Sequence, residues 1–349
     1  MIKAKLTFLG TGTSQGIPII GCRCPVCQSP DPRDKRFRAA ALVEFGGLRI
    51  LIDAGPDFRM QMLAHGIGHL DAILLTHNHK DHTGGLDDVR SLNYIDRRAV
   101  DIFCEDRVLT TLKREYGYAF EEHRYPGSPE WHVHIIDERP FIVRSSRDAG
   151  ELVWVHDVGY FLKQADGSLA PSDATPREAE HPAPGTGQST DRFAADDTGR
   201  GIVFPTPPAS GPLPSAWVHV CENSTRSGAS AVVLPIRGYH DQMPVLGFRF
   251  GNIAYITDMS RIPEEEFAKL EGLDHVSLNT VGYKTHHSHF SLDEALAIAD
   301  RIGAKHTWLT HLSHTFPVHE RFAETLRALC RERGIRSDVQ PAYDGLTVK

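Results

Sequence analysis

A chain of 349 residues, 40% hydrophobic and 24% charged, is long enough to bury a large core and ordinary enough in composition to be a folded soluble protein. Its formal net charge of −7, with no long run of Lys or Arg, weighs against a nucleic-acid-binding surface. It does not exclude a small phosphorylated substrate, which a metal site can attract by itself.

In chain order, Lys5 to Leu9 reads as a first strand, broken at Gly10-Thr11-Gly12. Ala41 to Phe45 and Leu48 to Ile52 read as a hairpin across Gly46-Gly47. Ala72 to Leu75 is a short apolar run that predicts a buried strand, with a helix from about Leu86 to Tyr94 after it. Residues 163–214 are rich in Pro, Gly, Ser, Thr and Asp and read as a loop-rich insertion within a single domain spanning 1–349.

Ala231 to Ile236, Val245 to Phe250 and Asn252 to Thr257 predict three further strands. Ser260 is expected to open a helix through Glu264-Glu265-Glu266 that ends near Gly272. Ser291 and Glu294 form a capping box for a helix ending at Gly303, and a second helix runs from Glu320 to Arg333, stopped by Gly334. Asp344-Gly345 predicts a closing hairpin turn. Strands precede helices in each half, which favours a layered α/β sandwich over a strictly alternating sheet. No apolar stretch approaches the roughly 20 residues of a membrane span. Nor does the segment after Met1 resemble a signal peptide, so the expected location is the cytoplasm.

The densest chemistry lies at Thr76-His77-Asn78-His79-Lys80-Asp81-His82, directly after a predicted strand. In extended backbone, residues i and i+2 share a side, so His77 and His79 can grip one ion together. As the chain turns, Asp81 and His82 are delivered to a neighbouring position. Imidazole and carboxylate suit Zn²⁺, Mn²⁺ or Fe²⁺. A polar surface loop would rarely gather four ligand residues at this spacing.

This pattern, His-x-His-x-Asp-His after a strand, resembles the signature of the metallo-β-lactamase-fold hydrolases. The resemblance implies a four-layer αββα sandwich and two divalent ions, Mn²⁺ or Zn²⁺. By the same resemblance His77, His79 and His240 hold one ion and Asp81, His82 and His311 the other, with Asp258 bridging. His219 also lies near a strand and is the alternative to His240. Asp53, in Leu51-Ile52-Asp53-Ala54-Gly55, would support the site without touching metal.

Three of the six cysteines, Cys22, Cys24 and Cys27, crowd into one short segment, which suggests reduced thiols and a structural Zn²⁺ rather than a disulfide framework. Three thiolates are one short of a closed tetrahedral site. His314, three residues beyond His311, is the strongest candidate for the fourth ligand.

The combination of this cysteine group, Gln15-Gly16-Ile17-Pro18, Thr310-His311-Leu312-Ser313-His314 and Tyr343-Asp344-Gly345-Leu346 is similar to the PhnP family of cyclic-phosphate phosphodiesterases. That resemblance implies hydrolysis of a small phosphodiester, such as a phosphoribosyl 1,2-cyclic phosphate, by a two-metal bridging hydroxide. It also implies catalytic roles for His289 and Asp81, with His289 binding phosphate or protonating the leaving group. His286 and His287 read as exposed loop residues. The insertion departs from the compact family pattern and leaves the substrate open, and the oligomeric state, a homodimer included, is open too.

Three alternatives remain. A tRNase Z-like nuclease needs a basic arm, but Lys163 to Arg200 holds four basic and seven acidic residues, 4 − 7 = −3. A thioester hydrolase would leave the cysteine site unexplained. A non-catalytic accessory protein resembling PqqB would have a degraded catalytic signature, whereas the set here is intact.

Overall fold

The computed structural model describes residues 3–145, 152–155, 159–163, 169–171 and 229–349. The first half runs β1 (Lys5–Gly10), α1 (Pro25–Gln28), β2 (Ala40–Phe45), β3 (Leu48–Ile52), α2 (Phe58–Ala64), β4 (Ala72–Leu74), α3 (Lys80–Thr83), α4 (Arg90–Asp96), β5 (Val100–Cys104), α5 (Asp106–Glu115) and β6 (Trp131–Ile135). After β7 (Phe141–Arg144) come three short strands, β8 (Leu152–Val155), β9 (Gly159–Lys163) and β10 (Leu169–Pro171), which pair as a small antiparallel sheet. The second half runs β11 (Ser230–His240), β12 (Met243–Phe250), β13 (Ile253–Tyr255), β14 (His275–Asn279), α6 (Leu292–Ile302), β15 (His306–Thr310), α7 (His319–Arg333), β16 (Asp338–Pro341) and β17 (Thr347–Val348).

Two seven-stranded sheets result, ordered β17-β1-β2-β3-β4-β5-β6 and β16-β15-β14-β13-β12-β11-β7. Each is antiparallel from one edge to its middle strand, β3 or β13, and parallel from there to the other edge. Strand alternation builds the layers. Ile50, Ile52, Phe248, Ile253 and Tyr255 face the core between the sheets, while Leu51 turns to a second core with Phe58, Leu92 and Leu112, beneath the helices of the first half. Ala254, Ile256 and Leu278 turn to a third with Leu296, Phe322 and Leu326 of α6 and α7. Full burial of a side chain such as Phe248 contributes about 1.5–3 kcal/mol of transfer free energy. This is the αββα sandwich.

Several local expectations need correction. Ser260 opens no helix: its hydroxyl donates to Tyr239 O and accepts from Asp241 N, so it is unavailable as a cap. The helical segment is a 3-10 turn, Glu264–Leu270, beginning after Pro263. Leu86–Val89 is likewise a 3-10 turn that precedes α4. Asp344-Gly345 closes no hairpin, because β16 and β17 belong to different sheets. The Asp344 carboxylate instead accepts from Thr11 Oγ1 at 2.7 Å and Phe37 N at 2.6 Å, which steers the chain from one sheet to the other.

The insertion read as 163–214 lies outside the described residues except for Lys163 and the strand Leu169–Pro171. Among the described residues no helix is long and apolar enough to cross a membrane.

Candidate metal centre

The carboxyl ends of the middle strands of both sheets meet at one end of the sandwich. Asp53 follows β3, Thr76 to His82 follow β4, Asp258 follows β13, the segment bearing His289 follows β14, and His311 follows β15. Asp53, Asp258 and His311 all have left-handed backbone, with φ of 64°, 56° and 56°. Non-glycine residues meet this geometry at a cost of about 1 kcal/mol or more each, and such strain concentrates at functional sites.

The Thr76–His82 loop is seated by backbone contact. His82 O accepts from Ala54 N at 2.8 Å, and a Cβ at Gly55 would stand 1.9 Å from Asp81 O. The short helix α3, preceded by His79 in extended conformation, turns Asp81 and His82 inward. His77 and His82 are fully buried, Asp81 is half-buried and His79 is exposed.

A buried carboxylate sets the chemistry of two imidazoles. Asp53 accepts from Thr76 N at 2.9 Å and from Thr76 Oγ1 at 2.9 Å, and meets His82 Nδ1 at 2.7 Å. His82 must therefore carry its proton on Nδ1. The Thr76 hydroxyl spends its proton on Asp53, so it accepts from His77 Nδ1, 2.9 Å away. In His77 this leaves Nε2 as a lone pair, buried and without a hydrogen-bond partner, while His82 Nε2 faces Asp258 and Asp81 at 3.3 and 3.4 Å. His311 Nδ1, His240 Nδ1 and His289 Nδ1 are unpartnered as well, and His311 Nε2 faces Asp258 Oδ1 at 3.0 Å.

These atoms converge. Donor atoms of Asp81, His82, Asp258 and His311 lie within 4.8 Å of one another, and so do those of His240, Asp258 and His289. The rings of His77, His79 and His240 are mutual neighbours, with centroids 4.7, 5.0 and 5.6 Å apart. His289 stacks on His311 at 4.5 Å and lies 4.6 Å from His240, so it stands at ligand distance from Asp258 and His240. His219 lies outside the described residues.

Electrostatics favour a cation. Among the described residues the ion-pair partners of Asp53, Asp81 and Asp258 are histidines alone, with no Lys or Arg. Burial disfavours charge on His82, but Asp258, Asp53 and Asp81 outweigh it and push its pKa well up. Burial raises Asp258 too, yet His311 and His82 hold it well below the usual carboxylate range. Burial, reinforced by His82, drives His77 well down, and burial with His311 takes His289 to about 2, so both stay neutral, as His77 must to hold a metal, whereas His82 would release its Nε2 proton on binding one. Orphaned imidazole nitrogens beside carboxylates that meet only histidines among the described residues fit divalent ions.

Three residues beyond His311, His314 joins Cys22, Cys24 and Cys27 of the segment after β1 in a second donor group. His314 Nδ1 lies 3.3, 3.5 and 3.8 Å from the three sulfurs. Cys24 precedes α1, and its Sγ accepts from Cys27 N, which lowers the thiol to about 6. Burial pushes Cys27 up to about 11, a cost that a dication would remove. Four N/S donors at these spacings fit a closed zinc site.

Sequence patterns do not single out Asn279 or Met259, and they show Gly55 only as part of a strand motif. Nothing local marks Asn279, since its partners lie about 20 residues away.

Comparison with known proteins follows this geometry. The profile of the beta-lactamase superfamily domain matches residues 48–174 and 205–312, which include every His and Asp of the pocket. An octanoyltransferase of Porphyromonas gingivalis is 30% identical over 352 residues, covering 97% of this chain and 54% of that protein, so the chain spans about half of that relative's length. A coenzyme PQQ synthesis protein B of Xanthomonas campestris pv. campestris is 26% identical over 225 residues, 57% of this chain and 71% of that protein. Among solved structures, a diphosphatase from the PhnP family superposes with a TM-score of 0.64 at 29% identity, covering 99% of this chain and 98% of that one. Zinc-bound PqqB from Methylobacterium extorquens gives 0.57 at 16% identity, over 99% of both chains, a likeness of fold.

Proposed function

Because this chain belongs to the beta-lactamase superfamily and has the metallo-β-lactamase fold, we propose that it is a two-metal phosphodiesterase whose substrate is a small cyclic phosphate ester. The observation that carries this reading is the convergence of orphaned imidazole nitrogens on carboxylates that no Lys or Arg neutralises among the described residues. His77, His79 and His240 would hold one ion, and Asp81, His82 and His311 the other, with Asp258 shared. Two such ions supply Lewis acidity toward phosphoryl oxygens and lower the pKa of water toward neutrality.

The protein's own side chains do the rest. Asp53 keeps the protons of His77 and His82 on their Nδ1 atoms, directly for His82 and through Thr76 for His77, so that both present Nε2 to the centre. Asp258 keeps its negative charge and holds the two halves of the pocket to one centre. His289, neutral through burial, offers a ring N–H to a phosphoryl or leaving oxygen. The site formed by Cys22, Cys24, Cys27 and His314 would take a structural Zn²⁺, since four protein donors leave no position for substrate. The likeness to a PhnP-family diphosphatase supports phosphoester chemistry.

The intact ligand set favours an enzyme over a PqqB-like accessory role, and the acidic 163–200 segment disfavours a tRNase Z-like nuclease. Metal analysis with assays on bis(p-nitrophenyl) phosphate and ribose 1,2-cyclic phosphate tests the proposal. Turnover should need two ions beyond the cysteine-bound zinc and be lost in Asp258→Ala and His79→Ala. Full metal content and turnover in either variant would refute the assignment.

A further inference from the structure

Asp258, His240 and His289 come from three separate segments, yet all three are tied to one buried residue, Met259. Its backbone is clasped by Asn279, which is fully buried: Met259 N donates to Asn279 Oδ1 at 2.9 Å, and Asn279 Nδ2 donates to Met259 O at 2.9 Å. The same carbonyl accepts from Phe290 N at 3.0 Å, one residue beyond His289. The Met259 side chain fills a notch over β11 and β12. A Cβ at Gly238, two residues before His240, would stand 2.0 Å from Met259 Sδ, and a Cβ at Gly247 would stand 3.4 Å from Met259 Cε.

Met259 thus touches the strand that ends in His240, follows Asp258 directly, and is bonded to the residue after His289. The two hydrogen bonds between Asn279 and Met259 hold the peptides on either side of Met259, next to the left-handed Asp258, where an unsupported chain would relax to ordinary φ. A primary amide suits the task because it offers one acceptor and one donor to the two sides of a single residue.

From this geometry we infer that Asn279 and Met259 form a clasp that sets the positions of His240, Asp258 and His289 relative to one another. Asn279 is a positioning residue: it acts on the ions through Asp258 and touches neither substrate nor metal. The inference rests on the reading of this pocket as an ion-binding centre. It adds that the affinity of the centre is governed by a residue with no ligand atom in it.

The test uses the full chain with Asn279→Ala, Asn279→Asp and Gly238→Ala. Asn279→Asp keeps the acceptor for Met259 N but turns a carboxylate oxygen toward Met259 O. Gly238→Ala pushes the methionine out of its notch. Mn²⁺ affinity is read by chelator competition, and pairing of the ions by the exchange-coupled Mn²⁺ EPR spectrum. Thermal melting and cysteine-bound zinc are followed in parallel, with Leu48→Ala as a destabilised control: Leu48 is buried at the hairpin end of β3, the opposite end of that strand from Asp53.

Each clasp variant should melt cooperatively and keep its cysteine-bound zinc. It should also bind the weaker Mn²⁺ about tenfold or more less tightly and lose the coupled spectrum. Leu48→Ala should lose stability with unchanged Mn²⁺ binding. If Asn279→Ala and Asn279→Asp bind Mn²⁺ as the wild type does, with the same coupled spectrum, the clasp has no positioning role, whatever their melting temperatures. A wild-type protein that takes up metal on its thiolates alone would overturn the ion-binding reading and this inference together.

Discussion

Asp53→Asn changes one atom type in a fully buried carboxylate, and the structure fixes what must follow. Three donors reach the wild-type side chain: Thr76 N, the Thr76 hydroxyl, which lies near both carboxylate oxygens, and His82 Nδ1. An asparagine can accept at one end only. If its NH₂ takes the place of Oδ2, it faces His82 Nδ1 at 2.7 Å as a second donor. His82 must then shift its proton to Nε2, the atom that lies 3.3 Å from Asp258 Oδ2 and would bind metal.

If the NH₂ takes the place of Oδ1, it opposes Thr76 N, and a buried amide hydrogen loses its acceptor at a cost of about 1–3 kcal/mol. In either orientation Thr76 Oγ1 loses a constraint that directs the His77 proton. Loss of an orienting carboxylate weakens metal binding about 10–100-fold, or about 1.4–2.7 kcal/mol. Calorimetric titration of the metal-depleted protein with Mn²⁺ should show that loss at the centre, while the cysteine-bound zinc and the circular dichroism stay as in the wild type. Binding within twofold of the wild type at both positions would show that Asp53 does not direct the imidazoles.

Gly55→Ala places a Cβ 1.9 Å from Asp81 O and should displace the Asp81–His82 turn, so that elemental analysis finds one of the two centre ions missing while the cysteine-bound zinc stays. Substituting Cys24 by Ser should remove that zinc alone, seen as one equivalent fewer metal per chain, with a lower melting temperature because Val26, Cys27 and Val318 pack around the site. His69 meets Asp71 at 3.1 Å and Asp96 at 2.6 Å; burial lowers its pKa, but the two carboxylates outweigh that and raise it. A raised His pKa adds stability that is complete below the unfolded value of about 6.5 and fades as pH rises through the folded value. Urea unfolding should therefore show the gap between wild type and His69→Gln widest below pH 6 and shrinking above that range. Ser291→Ala removes a capping box and should cost about 1 kcal/mol in the same assay.

Much of this protein is determined locally and can be read from the chain. The capping box at Ser291, the stop at Gly303 and the hairpin across Gly46-Gly47 depend on neighbours within a few residues, and the structure reproduces them. The Thr76–His82 pattern is legible for the same reason, since the strand before it and the turn after it set where its four ligand residues go.

Ser260 and Asp344 misled because their polar groups are claimed by distant partners, Tyr239 for one and Thr11 and Phe37 for the other. The duplicated sheet order left no trace as a sequence repeat, because alternation constrains polarity but not identity. Only the tertiary structure decided how His240, Asp258, His289 and His311 meet. Their convergence depends on two sheets packing face to face with the carboxyl ends of their middle strands at one end. Spacing along the chain carries no information about such a meeting. The clasp of Asn279 on Met259 joins segments that contact each other solely because the sandwich has closed.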